Sequence, residues 1–253
     1  MILPINKFKH ELQKGSQQIG LWNSIPGPVV SELLAGAGFD WITVDTEHAP
    51  TDVPDTLPML QAMAAYPVSP VVRPQANDTV LIKRLLDLGA QTLMVPYVET
   101  AEEAEAAVRA MRYPPRGLRG VAGFTRASRF GQIPDYMARA EEELCLIVQV
   151  ETAATLDRIE AIAAVDGVDG LFIGPSDLAA SMGHPGNPAH PEVRRAIEAA
   201  IRRITAAGKP AGILALDQGF ARQCMDWGTR FTAIGVDLAL LGNAARGLAA
   251  AFR

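Results

Sequence analysis

Only two cysteines, Cys145 and Cys224, occur in 253 residues, and both fall in apolar stretches that read as buried. They form no disulfide framework, so a reducing, cytoplasmic setting is expected. The chain also lacks an excess of positive charge. Its net charge is −5, with acids and bases interspersed, which excludes the basic footprint of a nucleic-acid binder. Apolar runs are broken by Gly, Pro or charge well before the roughly 18–20 residues a membrane span needs. The opening stretch MILPINKFKHELQKG carries charges where a signal peptide requires its apolar region. There is no shift of composition and no linker, so residues 1–253 read as one domain.

About half the residues are apolar, and they alternate between two patterns. A short amphipathic helix fits residues 6–14. Strand-like runs follow at 18–24, 40–46, 70–74, 92–98, 144–151, 169–175, 210–216 and 231–237. Each is apolar on both faces and rich in Val, Ile and Leu, as parallel strands covered on both sides must be. Between them lie segments such as VVSELLAGAG and PEVRRAIEAAIRRITAAG, with apolar residues at three- and four-residue spacing. Eight βα units in about 250 residues predict a (β/α)8 TIM barrel with an N-terminal capping helix. The rival, an open doubly wound sheet, would carry GxGxxG after its first strand, and that fingerprint is missing. Two loops stand out as insertions, 114–134 (Arg- and Gly-rich) and 181–191 (SMGHPGNPAHP).

In such a barrel the chemistry gathers where strands end. The second strand finishes in Asp45, Glu47 and His48, the third in Arg73 and the fifth in Gln149 and Glu151; the sixth runs into Ser176 and Asp177. Singly, each is read most simply as a helix cap, a turn residue or an ion-pair partner, with Glu47 facing a nearby Arg. Their convergence on one end is what argues for a site. Glu151 and Asp177 lie one βα unit apart on neighbouring strands. Two carboxylates so close repel unless a proton or a cation intervenes, and an all-oxygen pair suits Mg²⁺ or Mn²⁺. His184 and His190 sit in a Pro/Gly loop and read as loop composition. A divalent ion gripping a 2-oxo acid would stabilise an enolate. Arg73 would add positive charge at the enolate oxygen, His48 would move the proton, and the amides of the GPSD turn would receive a carboxylate. A Schiff-base route needs a lysine at the mouth. The five lysines, Lys7, Lys9, Lys14, Lys83 and Lys209, all belong elsewhere. No Gly-rich loop follows the last two strands to hold a phosphate.

The stretches IGLW, ELLAGAGFDWITVDTEHAP, KRLLDLGAQTLMVPYV, RYPPRGLRGV, TRASRF, QVET and GVDGLFIGPSDLAASMG together resemble the HpcH/HpaI family of metal-dependent (class II) pyruvate aldolases over nearly the whole chain. The resemblance implies reversible cleavage of 4-hydroxy-2-oxo acids, such as 4-hydroxy-2-oxoheptanedioate, to pyruvate and an aldehyde, and a place in aromatic catabolism. It implies His48 as general base, Asp87 as an acid supporting that histidine from a neighbouring subunit, and Arg73 as enolate stabiliser. Glu151 and Asp177 are implied as ligands of Mg²⁺, Mn²⁺ or Co²⁺, Gln149 and the backbone at Ser176 as pyruvate-binding groups, and Asp45, Trp22, Arg126 and Leu214 as the lining of the aldehyde side. It further implies a homohexamer, a trimer of dimers, that exchanges its C-terminal helix between paired subunits. The aldehyde stays open, since related members cleave 2-keto-3-deoxy sugar acids, and so does hydroxypyruvate as the donor. A malyl- or citryl-CoA-type lyase would need a basic groove for the nucleotide, and none is evident. A non-enzymatic 2-oxo acid binding protein would be expected to lack one of His48, Arg73 or the carboxylates.

Overall fold

The computed structural model describes residues 1–253. Eight parallel strands close into a barrel in sequence order: β1 (Gln18–Asn23), β2 (Trp41–Asp45), β3 (Ser69–Arg73), β4 (Thr92–Val95), β5 (Cys145–Val150), β6 (Gly170–Ile173), β7 (Ala211–Leu214) and β8 (Thr229–Val236). The helices are α1 (Lys7–Gln13), α2 (Pro28–Ala35), α3 (Val53–Met63), α4 (Thr79–Asp87), α5 (Ala101–Met111) and α6 (Tyr136–Glu143) in the first half. In the second half they are α7 (Ala153–Leu156), α8 (Ile159–Ala163), α9 (Pro175–Ser181), α10 (Pro191–Ala206), α11 (Gln218–Trp227) and α12 (Asp237–Ala250). The predicted TIM barrel is therefore the observed fold, and every expected strand overlaps a real one. All end somewhat earlier than expected, two of them for evident local reasons. β4 stops at Val95 because Pro96 has no N–H to offer the ladder, and β6 stops at Ile173 because Gly174 and Pro175 open α9.

Two apolar layers hold the barrel. The larger one, 47 buried residues, lies between sheet and helices. The smaller one fills the interior. There Trp41 stands 5.8 Å from Phe8 and Phe231 stands 5.6 Å from Phe8, both edge-on, while Trp22 tilts against Phe172 at 5.5 Å. Such aromatic packing needs room that the backbone must give up. A Cβ on Gly20 would overlap the indole of Trp41, and one on Gly212 would overlap the ring of Phe231.

Phe8 comes from α1, which floors the N-terminal end of the barrel. The Asn6 side-chain amide donates to Thr92 Oγ1 at 2.9 Å, and the Gln18 amide donates to the Phe8 carbonyl at 3.3 Å. Both partners sit at strand starts. With that end closed, the C-terminal end is the open one. The loop 114–134 follows α5 and so belongs to the closed end, whereas 181–191 follows α9 at the mouth. At the mouth Asp237 ties β8 to β1. Its buried carboxylate accepts from Asn23 Nδ2 (2.9 Å) and from the N–H groups of Ser24 (3.0 Å) and Ile25 (2.9 Å). Asp237 is also the one buried residue of α12, and Leu238, Leu240, Leu241 and Leu248 are exposed. No helix is long and apolar enough to cross a membrane.

Candidate active site

The last residues of β2 and β3 are paired in register, Asp45 beside Arg73. Arg73 Nε donates to Asp45 Oδ1 at 2.8 Å and Nη2 donates to Oδ2 at 2.7 Å. Its third nitrogen, Nη1, lies 2.8 Å from Glu47 Oε2. The guanidinium carbon stands 5.1 Å from the centroid of Trp22, whose indole N–H donates to Asp45 Oδ2 at 3.3 Å. A planar fork between two carboxylates, packed on an indole, is a geometry that lysine cannot reproduce. Burial works against ionisation of Asp45, but the hydrogen bonds and charge of Arg73 outweigh it and hold the carboxyl below its usual value. Glu47 goes the other way. Burial raises it, opposed by Arg73 and His48 and reinforced by Asp45 and Asp177. The expectation that Glu47 pairs with an arginine is met, and the arginine is Arg73.

His48 stands at the rim, its side chain 63 % exposed and its Nε2 3.8 Å from Glu47 Oε2. Its backbone N–H donates to Asp45 Oδ1 at 3.4 Å, which fixes the turn after β2. Leu214 closes β7 at the same end, half-buried.

Glu151 follows β5 and is buried. The N–H of Tyr97 donates to its Oε1 at 2.7 Å, and Gln149 Nε2 donates to its Oε2 at 2.9 Å. Asp177, in the first turn of α9, accepts at Oδ1 from the Tyr97 hydroxyl at 3.0 Å. Tyr97 thus joins the two carboxylates. Burial pushes the Glu151 carboxyl up to about 7; the Tyr97 N–H opposes this, while the charges of Glu47 and Asp177 add to it. The Tyr97 hydroxyl is pushed up to about 12 by burial, by its bond to Asp177 and by the acids around it. Gly174 gives Glu151 its space, since a Cβ there would lie 2.5 Å from Oε2. The side-chain oxygen of Gln149 is buried without a partner. Two carboxylates and a free amide oxygen are the donors a hard divalent cation takes, so these residues fit one. The N–H groups of Ser176 and Asp177 open α9, where no preceding turn offers them a carbonyl.

Two of the expected residues are not brought to this end within one chain. α4 starts beside the end of β3 and runs back down the barrel, so Asp87, its last residue, lies at the closed end. There it accepts from Nη2 of the fully buried Arg119 at 2.8 Å, with the Arg119 guanidinium 4.5 Å from the Tyr113 ring centroid. Arg126 is beside it, donating through Nη1 to the Leu88 carbonyl at 2.7 Å. Either can meet His48 only across a subunit boundary. His184 and His190 come together in the loop at the mouth. Their rings stack at 3.6 Å, His184 pairs with Glu192 at 2.8 Å, and His190 Nδ1 accepts the Glu192 N–H that opens α10. Tyr97 and Gly174 were not singled out from the sequence. Reading strand ends at the fourth strand, as at the second, third, fifth and sixth, would have reached Tyr97, the first polar side chain after β4.

The raised carboxyl of Glu151 has a consequence for stability. The folded chain keeps that proton up to about pH 7 while the unfolded chain loses it near 4.5. Stability without a cation therefore falls as pH rises through this window. Glu151→Gln removes the loss, so in EDTA at pH 8 the variant is expected to unfold at higher urea than wild type. The gain should be on the order of 3 kcal/mol at most, and it should vanish at pH 4. Equal urea midpoints at pH 8 would contradict the burial argument.

The HpcH/HpaI aldolase/citrate lyase family profile matches residues 18–244. A pyruvate aldolase of Rhizobium etli is 60% identical, covering 100% of this chain and 99% of that protein. A hydroxypyruvate/pyruvate aldolase of Pseudomonas aeruginosa is 54% identical over 100% of this chain and 95% of its own. A 4-hydroxy-2-oxo-heptane-1,7-dioate aldolase of Klebsiella pneumoniae is 54% identical over 98% of this chain and 94% of its own. Among solved structures, an HpcH/HpaI aldolase/citrate lyase family protein from Burkholderia cenocepacia superposes with a TM-score of 0.94 at 44% identity, covering 98% of this chain and 99% of that one. With this match of sequence and fold along its length, the chain belongs to the HpcH/HpaI aldolase/citrate lyase family.

Proposed function

We propose that this aldolase reversibly cleaves 4-hydroxy-2-oxo acids, 4-hydroxy-2-oxoheptanedioate among them, to pyruvate and an aldehyde, with a divalent cation held by Glu151 and Asp177. The observation that carries this reading is the joining of those two carboxylates through Tyr97 at the open end of the barrel. Bound there, Mg²⁺, Mn²⁺ or Co²⁺ supplies Lewis-acid polarisation of a 2-oxo acid. Arg73 provides a fixed positive charge where the enolate oxygen develops. A guanidinium has five N–H groups, of which Nε and one of Nη2 donate to Asp45, so Nη2 keeps one and Nη1 both. Gln149 and the backbone N–H at Ser176 orient the carboxylate end of the substrate. Trp22, Asp45 and Leu214 line the aldehyde side. His48 takes the proton from the C4 hydroxyl as the C3–C4 bond breaks, and returns it in the synthetic direction. Asp87 and Arg126 contribute from a second subunit, in a cytoplasmic homohexamer that exchanges α12. The exposed leucines of α12 support that assembly, because a monomer would leave them in water.

The direct test is product analysis. EDTA-treated protein should release no pyruvate from 4-hydroxy-2-oxoheptanedioate, and Mg²⁺, Mn²⁺ or Co²⁺ should restore turnover. In the reverse direction, a panel of aldehydes with pyruvate or hydroxypyruvate identifies both partners. Full activity in verified metal-free protein would overturn the metal-dependent reading.

His48→Ala should lose cleavage by roughly 10²–10⁴, the usual contribution of a positioned base. Oxaloacetate decarboxylation passes through the same enolate but removes no hydroxyl proton, so it should fall far less. Equal losses of both rates in one preparation would remove His48 from the role of base.

Deleting residues 238–253 should lower the particle mass measured by light scattering. Cleavage should fall with it, because Asp87 would no longer reach a neighbour's His48. An unchanged mass would rule out α12 as the joint between subunits.

A further inference from the structure

Tyr97 sits in the left-handed region at φ +50, a conformation that a residue bearing a Cβ adopts at a cost of roughly 1–2 kcal/mol. The other non-glycine residues with positive φ are Arg129, Phe130 and Asp135, all between α5 and β5 at the closed end. Tyr97 alone among them stands at the mouth, directly after Pro96 and before the fully buried Val98. A glycine would take this backbone freely and would still offer its N–H to Glu151. What the tyrosine adds is the hydroxyl on Asp177.

The hydroxyl of Tyr97 makes the one side-chain hydrogen bond of the Asp177 carboxylate. Glu151 is held at both oxygens, by Tyr97 N–H and by Gln149. Without the hydroxyl, Asp177 would turn freely about its side chain while Glu151 stayed fixed. With it, Oδ1 is engaged and Oδ2 is left as the oxygen to face a cation. That leaves Oδ2 the less encumbered oxygen and disfavours ligation through both at once. Mg²⁺, small and near-ideally octahedral, accepts this, and Mn²⁺ takes the same six-oxygen set, whereas Ca²⁺ favours six to eight oxygens and often takes both from one carboxylate.

We propose that Tyr97 is a positioning residue that fixes how Asp177 binds a cation and thereby biases the site toward small octahedral ions over Ca²⁺. This rests on the assignment of Glu151 and Asp177 as cation ligands. Partners of this kind that orient a metal's ligands are typically worth about 10–100-fold in affinity.

Calorimetric titration of metal-free protein with Mn²⁺ and with Ca²⁺ tests it without reference to turnover. Tyr97→Phe keeps the ring and loses only the hydroxyl. It should weaken Mn²⁺ binding by about tenfold and Ca²⁺ binding by much less, so that the preference for Mn²⁺ narrows. Tyr97→Gly, which relieves the backbone and keeps the N–H, should show the same narrowing. Asp177→Asn should remove Mn²⁺ binding altogether. Should Tyr97→Phe leave both affinities unchanged while Asp177→Asn abolishes binding, the ligand assignment stands and the role of Tyr97 falls. Should wild type bind no Mn²⁺, or Asp177→Asn bind it as well as wild type, both fall together.

Discussion

Four carboxylates crowd the open end of this barrel around one buried guanidinium, and much of the architecture answers to that imbalance. Asp45 and Glu47 share Arg73, which leaves Glu151 and Asp177 without a cationic partner of their own. Taking such groups out of water is costly unless something positive or proton-donating meets them. The fold supplies N–H and O–H donors from Tyr97 and Gln149, and Gly174 leaves Glu151 the space it occupies. Burial still leaves the Glu151 carboxyl raised above its usual value. Four carboxylates against one guanidinium leave the mouth with an excess of negative charge that a cation would offset.

The barrel makes the crowding possible. Parallel strands all end on one side, so residues far apart in sequence arrive together with no dedicated contact between them. The other side is closed by α1 and by Phe8 among the interior aromatics, which leaves the mouth as the place where polar strand ends meet open space. Each helix then runs back toward the closed end. Asp87 and Arg126 share that end with the buried Arg119, far from the mouth of their own barrel. If they act on His48, assembly is a condition of catalysis, and the uncovered leucines of α12 belong to the same problem.

The sequence alone determined the fold and which strand ends carry the polar residues of the candidate site. Short runs apolar on both faces, alternating with helical periodicity, carry the barrel because burial on two sides leaves a compositional trace in every strand. Asp45, Glu47, His48, Arg73, Gln149, Glu151, Ser176 and Asp177 were legible for a related reason: each breaks an apolar run at a strand end, and in a barrel that break can only be the mouth. Tertiary structure decided what no local pattern encodes. It chose Arg73 as the partner of both Asp45 and Glu47, since pairing between strands depends on register. It put Tyr97 across Glu151 and Asp177, a juxtaposition made by a left-handed turn in one strand's end and side chains from two other segments. It sent Asp87, Arg126 and the loop 114–134 to the closed end, because the direction of a helix follows from the strand before it and not from its own residues. A strand's burial is written in its composition, but the partner of a charge is set by three-dimensional distance, and only the folded chain fixes that.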